Sequence, residues 1–229
     1  MKNKAFNKWT DFYLNSDMKD SNQLYPSENL IRMLKGNYIK NLNKNYKGKK
    51  VIDIGFGSGN NLFFLNQLEM DLYGTEVSDE ICKEYVNKLK KFNINVKLKE
   101  GFNSKLPFNN GFFDYLISWN VIHYENSESK MKNAIKEYSR VMKKNGRIFI
   151  STTGPHHSIL RGAKLVDNHL YQIKRKDNFR ENEIYFYFDN EYYINKFFQD
   201  DFKEIQIART TTNLFSEIND WFLITALKK

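Results

Sequence analysis

The chain of 229 residues contains one cysteine, Cys82, and no apolar run long enough to cross a bilayer. A lone cysteine excludes an internal disulfide and any cysteine-rich metal site, which suits a reducing compartment. The opening residues Met1-Lys2-Asn3-Lys4-Ala5-Phe6 lack the apolar core of a signal peptide, so a cytoplasmic location with no membrane partner is expected. Clustered oxygen ligands for a divalent cation are also missing from the pattern, and no metal is expected. A chain of this length can bury roughly 70% of its unfolded surface around one core, so a single domain over 1–229 is expected.

Lysine is abundant. Lys and Arg number 36 against 27 Asp and Glu, a net charge of +9, which raises nucleic acid as a partner. Lysines alternate with asparagines along the chain, as in Lys40-Asn41-Leu42-Asn43-Lys44-Asn45, so the charge reads as a compositional bias and not a focused patch. A small-molecule ligand is therefore expected ahead of nucleic acid.

The stretch Val51-Ile52-Asp53-Ile54-Gly55-Phe56-Gly57-Ser58-Gly59-Asn60-Asn61 reads as strand, tight loop and helix start. Its glycines let the backbone turn sharply and approach a ligand at a helix N-terminus. A dinucleotide fingerprint places its third glycine where Asn60 stands, so a nicotinamide cofactor is disfavoured. Asp53 puts a carboxylate where it can face a cationic ligand or orient the N–H groups of the loop. A second strand, Asp71 to Val77, ends in Glu76, at the distance from the loop at which open α/β nucleotide folds place a carboxylate for two ribose hydroxyls.

The combination of Asp53, the Gly55-x-Gly57-x-Gly59 turn and Glu76 resembles the class I S-adenosylmethionine-dependent methyltransferases. The resemblance implies an α/β, Rossmann-like fold: a seven-stranded sheet in order 3-2-1-4-5-7-6, strand seven antiparallel, helices on both faces. It also implies S-adenosylmethionine as cofactor and S-adenosylhomocysteine as product, held by Asp53, Gly55, Gly57, Gly59, Asn60, Glu76 and Val77. The segment Gly101-Phe102-Asn103-Ser104-Lys105-Leu106-Pro107-Phe108 resembles the family's loop after strand three, where an aspartate accepts the adenine amino group. Phe102 stands at that acidic position. In its place the sequence offers the Phe102 N–H and ring for the base, and the Asn103 carbonyl for the amino group.

Phe113 to Trp119, with its exit Asn120-Val121-Ile122-His123-Tyr124, resembles the strand that ends beside the transferred methyl group, with Asn120 at the cofactor and Tyr124 at the substrate. It lacks the Asn-Pro-Pro-Tyr pattern of amide and exocyclic-amine methylases, and Cys82 lies elsewhere than the nucleophile of cytosine-C5 enzymes. Lys143-Lys144-Asn145-Gly146 reads as a helix stop before a fifth strand, Arg147 to Thr152.

Residues 1–48 are expected to form a helical cap, with one amphipathic helix carrying Phe6, Trp9, Phe12, Tyr13 and Leu14 and another over Ser27 to Leu42, joined by a loop from Asn15 to Tyr25. Trp9, Tyr13 and Tyr25 are candidates for the substrate side, or simply pack on the sheet. Residues 153–188 read as a helix over Ser158 to Asp167 and then a hairpin turning at Asp177-Asn178, an insertion after strand five to which the resemblance assigns substrate binding. Its cations, Arg161 and Arg180 among them, suggest an anionic acceptor; a solvated hairpin or a homodimer arm is the alternative. His123 is the first candidate base, with His156 and His157 second, against the alternative that each packs or orients substrate. The expected activity is methyl transfer to an oxygen or nitrogen of a small polar metabolite, such as a sugar nucleotide or phosphorylated intermediate of surface-polysaccharide metabolism. An RNA methyltransferase and a non-catalytic binding protein of the same fold are the alternatives.

Overall fold

Apolar residues alternate between two faces of the central strands because each strand is covered on both sides. The computed structural model describes residues 4–15, 24–176, 178 and 180–229, without the side chains of 4–6. Most of the expected loop from Asn15 to Tyr25, the side chain of Phe6 and the turn residue Asp177 lie outside the described residues. The main sheet comprises β1 (Lys50–Ile54), β2 (Asp71–Glu76), β3 (Val96–Glu100), β4 (Phe113–Trp119), β5 (Met142–Thr153), β9 (Phe202–Leu214) and β10 (Glu217–Lys228). Their order is β3-β2-β1-β4-β5-β10-β9. β10, seventh of these in the chain, runs antiparallel to β5, as the resemblance implied. The sheet is a Rossmann-like methyltransferase sheet.

On one face Ile52, Leu116, Ile148 and Ile150 meet helices α5 (Glu128–Val141) and α6 (Glu191–Phe198) through Met131, Ile135, Tyr138, Ile194 and Phe198. On the other, Val51, Ile117 and Phe149 meet α2 (Glu28–Lys35), α3 (Asn60–Gln67) and α4 (Asp79–Lys90) through Leu30, Leu34, Leu62, Leu65, Tyr85 and Leu89. A strand's period of two assigns neighbours to opposite layers. Ser78 Oγ caps α4 by accepting from the Glu80 N–H at 3.2 Å, with Asp79 and Glu80 in the first turn favoured by the helix dipole. The parallel strands all deliver their C-terminal ends to one edge, where β1 and β4 part company with their following loops.

Several expectations are corrected by the chain's own stops. α2 ends at Lys35 instead of reaching Leu42, because Gly36 turns extended (ψ 178°) while its N–H closes the last turn on Arg32 O at 2.8 Å. α5 ends at Val141, and Met142 is already extended. The positive φ of the following turn falls on Asn145 (61°), not on Gly146, and a register shift against β4 absorbs the extra residues. The expected helix over Ser158 to Asp167 is one 3-10 turn, Ser158–Leu160. Gly162 (φ 71°) breaks it, and Lys164–Asp167 becomes β6, paired with β7 (Leu170–Gln172). β7 pairs in turn with β8 (Ile184–Phe186), which gives the expected hairpin. β9 and β10 form a long antiparallel pair that closes at a turn at Phe215 (φ 55°).

Candidate active site

The glycine loop is fixed from below by β2. Thr75 O accepts from the Gly55 N–H at 2.8 Å and from the Phe56 N–H at 3.3 Å. The Glu76 carboxylate, 5% exposed, then takes one bond on each oxygen: from the Gly57 N–H at 2.9 Å and from the Val77 N–H at 3.0 Å. Burial pushes this carboxyl above its usual range, and the two backbone donors pull it back. Gly55 and Gly57 have φ of 63° and 56°. A methyl group on Gly55 would stand 2.5 Å from Val121 Cγ2, and one on Gly57 would stand 2.7 Å from Tyr13 Oη. The turn can be made only without side chains at these two places.

Above the loop lies a cavity of about 530 Å³. Helix α1 (Lys4–Asn15) forms its roof with Trp9, Phe12 and Tyr13; Trp9 stacks on Tyr13 with ring centroids 5.8 Å apart. The insertion closes a side. Arg180 places its guanidinium 5.4 Å from the Trp9 ring centroid and 5.5 Å from that of Tyr124, a cation held between aromatic faces. Lys8 Nζ meets Glu183 Oε1 at 3.0 Å and ties α1 to the same hairpin.

Of the residues singled out in the sequence, Gly55, Gly57, Asn60, Glu76, Val77, Phe102, Asn103, Asn120, Trp9, Tyr13, Tyr25, Tyr124 and Arg180 all line this cavity. Asn60 Oδ1 also accepts from the Tyr25 N–H at 3.3 Å, and Asn61 Oδ1 from the Ser27 N–H at 3.1 Å, so α3 holds the segment that enters α2. Asn120 (φ 60°) accepts from Ser151 Oγ, which sets the turn out of β4 against β5. Gly59 caps α3 beneath the loop.

The three histidines and Arg161 are placed elsewhere. His123 is 1% exposed, packed 4.6 Å from the Tyr124 ring and stacked 6.0 Å from Tyr187, with Nδ1 at 3.5 Å from Thr153 Oγ1. Burial, then the charges of Arg180 and His157, holds its pKa well below the usual range, so the ring is neutral. His157 caps the 3-10 turn, Nδ1 accepting from the Ile159 N–H at 3.1 Å, and burial lowers it to about 4. The His156 N–H donates to Asp220 Oδ2 at 2.7 Å; Asp220 is fully buried and gripped by Arg209 through two bonds of 2.7 Å. Arg161 is bound to Ser158 Oγ at 3.2 Å and Ser216 O at 2.9 Å. All four serve the junction of β5, the insertion and the β9–β10 hairpin.

Asp53 lies within β1, 1% exposed, and neither oxygen of its carboxyl has a hydrogen-bond partner. Burial, then the charge of Glu76, pushes its pKa well up. An orphaned acid beside Ile54, which itself lines the cavity, is a costly arrangement in the free protein and the place where a cationic ligand is rewarded. S-Adenosylmethionine would fit these residues, with Glu76 for the ribose hydroxyls and the bare glycine loop for the amino-acid moiety, and with the Asp53 carboxyl one residue behind the cavity wall.

Sequence reasoning missed Trp119, Glu125 and Tyr185, which line the cavity too. Tyr185 was readable, since it lies on the expected strand of the hairpin. Nothing local marks Glu125, which follows a 3-10 turn, Ile122–Tyr124.

The sheet order is that of the Rossmann-like class I methyltransferase fold. Residues 51–146, from β1 through the turn at Gly146, match the model of a methyltransferase domain family. A S-adenosylmethionine-dependent methyltransferase from Methanosarcina mazei superposes with a TM-score of 0.65 at 18% identity, covering 80% of this chain and 93% of its own. A protein from Pyrococcus horikoshii gives 0.63 at 19% identity, with 96% of each chain covered. A S-adenosylmethionine-dependent methyltransferase from Aquifex aeolicus gives 0.57 at 16% identity, covering 97% of this chain and 98% of its own. At these identities the likeness is one of fold. No curated protein matches the chain. Among the described residues no helix is long and apolar enough to cross a membrane.

Proposed function

We propose that the chain transfers a methyl group from S-adenosylmethionine to an oxygen or nitrogen of a small, polar, anionic metabolite, of the kind represented by a sugar nucleotide or phosphorylated intermediate. The observation that carries the acceptor class is Arg180, whose guanidinium lines the same cavity as the glycine loop, between Trp9 and Tyr124. A guanidinium held by two ring faces has its orientation set before the ligand arrives, and its planar fork of donors matches the geometry of a planar anion. An RNA acceptor would call for a cationic approach. Of the insertion's other cations, Arg175 is paired with Glu217 at 2.6 Å and Arg161 with the hairpin, and neither lines the cavity.

The bound cofactor supplies an electrophilic methyl group on a sulfonium. The protein's contribution is placement: an in-line displacement needs the acceptor atom opposite the departing sulfur, and orientation of this kind contributes roughly 7–11 kcal/mol. The α1 aromatics Trp9, Phe12 and Tyr13 supply an apolar roof over the cavity. Tyr124, pushed up to about 12 by burial, keeps its proton and can donate a hydrogen bond to the acceptor.

Titration calorimetry with S-adenosylhomocysteine, with and without a short RNA, tests the cofactor half. Binding that Glu76→Ala abolishes and RNA leaves unchanged is the expected result. A screen of phosphorylated and carboxylated metabolites with labelled cofactor tests the other half. For a true acceptor, Arg180→Ala should raise KM about tenfold or more while kcat holds. An acceptor whose KM ignores Arg180 would end the anionic assignment.

A further inference from the structure

The loop after β3 lacks the acid expected there, and a different carboxylate stands beside it. Asn103, 8% exposed, is locked in one orientation by three groups. Its Oδ1 accepts from the buried Tyr138 hydroxyl at 2.7 Å, and that hydroxyl lies 2.9 Å from Ser118 Oγ on β4. With its proton committed to Asn103, Tyr138 Oη is left to accept from Ser118. On the other side Asn103 Nδ2 faces two acceptors, Glu125 Oε1 at 3.0 Å and Val121 O at 3.5 Å, which fixes which end of the amide is nitrogen. A relay thus runs from the core of the sheet through Tyr138 and Asn103 to a carboxylate at the cavity wall.

Glu125 lines the cavity with Val77, Gly101, Phe102 and Val121. Glu76 and Glu125 thus line the same cavity. Glu76 stands at the end of β2 for hydroxyls, and Glu125 stands across the Phe102–Asn103 loop. Asn103 uses one oxygen of the Glu125 carboxylate; the remaining lone pairs are acceptors only, so the complementary ligand group is a donor, and an amino group on a base is one such donor. Burial raises the Glu125 carboxyl, and the Asn103 bond and Lys130 offset that in part.

We propose that Glu125, held by the Ser118–Tyr138–Asn103 relay, accepts the 6-amino group of the cofactor's adenine and replaces the acid that Phe102 displaces from the preceding loop. The inference rests on the cofactor reading above. It makes Glu125 a specificity residue: an acceptor at the 6-position admits adenine and rejects a purine that carries a carbonyl oxygen there, because two acceptors would then face one another.

The test is calorimetric binding of S-adenosylhomocysteine and of its inosine analogue, whose 6-position bears oxygen, to wild type, Glu125→Ala, Glu125→Gln and Tyr138→Phe. Wild type should prefer the adenosine ligand by about tenfold or more. Glu125→Ala should lose most of that preference. Glu125→Gln, which can donate as well as accept, should bind the inosine analogue better than wild type does, and Tyr138→Phe should lose preference by a few-fold with the carboxylate still present. Preference kept in Glu125→Ala, or an equal loss for both ligands, overturns the assignment while leaving the cofactor site standing. A fall in methyl transfer at saturating cofactor with preference unchanged also overturns it, and points to proton transfer instead. If wild type binds neither ligand, both the cofactor reading and this inference fail together.

Discussion

The Gly57 N–H donates to Glu76 Oε1 across 2.9 Å, so the crest of the glycine loop and the acid at the end of β2 hold each other in place. The same carboxylate that would receive ribose hydroxyls therefore also shapes the cradle. Glu76→Gln sets an amide N–H₂ against a backbone N–H at one of the two bonds. Loss of a charge-assisted bond of this kind costs about 1.5–3 kcal/mol, roughly 10- to 100-fold in Kd for S-adenosylhomocysteine. Calorimetry with a thermal melt of the free protein checks it. The melt should stay nearly constant, since the variant also relieves a buried charge, and a large drop would mean that the loop and not the ligand depends on Glu76.

Gly57→Ala tests the other partner. Its left-handed φ of 56° costs a side chain about 1–2 kcal/mol, and the new methyl must displace Tyr13 Oη, 2.7 Å away. The strain belongs to the backbone and the clash to α1. Denaturant midpoints of Gly57→Ala, Tyr13→Ala and the double variant separate the two: the double should be less destabilised than the sum of the singles by about 0.5 kcal/mol or more. Strict additivity would show that α1 does not rest on the loop in solution.

The half of the fold that carries the glycine loop was legible in the sequence because its signals are local. Gly55, Gly57 and Glu76 announce themselves by residue type and spacing, and alternating buried residues such as Val51 and Ile52 announce a strand covered on both sides. The insertion was less legible. Ser158 to Asp167 carries apolar residues at helical intervals, yet Gly162 adopts a left-handed φ that only the folded chain reveals, and the segment pairs with β7. The placement of the histidines away from the cavity was not legible for a related reason. They follow strand ends, where catalytic groups are expected, but His123 faces Thr153 and Tyr187 behind the wall formed by Tyr124, and side-chain direction across a 3-10 turn is not written in spacing. Glu125 escaped notice because its meaning depends on Asn103 and Tyr138, distant in sequence.

Asp53 makes stability depend on pH in a direction opposite to that of a paired acid. Its pKa is raised in the folded state, first by burial and then by Glu76, so above the ordinary aspartate value of about 3.9 the unfolded chain ionises while the folded one resists. The folded state then binds more protons, and stability falls as pH rises from about 4 towards the folded value; Glu76 adds to the same trend. Asp53→Asn should therefore melt higher than wild type, by an amount that grows over this range and reaches at least about 1 kcal/mol, or roughly 2–4 °C for a chain of this size. The same variant should bind S-adenosylmethionine more weakly than wild type, with a smaller loss for the uncharged S-adenosylhomocysteine. Melting curves that run parallel from pH 4 to 8 would show that Asp53 is not the orphan the geometry describes.

His123 has the opposite sign. Burial keeps its folded pKa well below the usual value near 6.5, so below pH 6.5 the unfolded chain takes up a proton that the folded ring refuses, and stability is lost as pH falls. His157, lowered to about 4, contributes to the same acid limb. His123→Gln should flatten that limb between pH 6.5 and 5 at some cost in packing against Tyr187. Its effect on turnover separates packing from chemistry: loss of a general base lowers rate by about 100- to 10,000-fold and removes a limb from the pH–rate profile. A ring that lies behind Tyr124 predicts a change of only a few-fold with the profile intact, since the variant alters the support of the cavity wall and leaves every group that lines it in place. A hundredfold fall, with the acid limb of the rate profile gone, would put His123 back at the reacting atoms and require that Tyr124 swing aside when the acceptor binds.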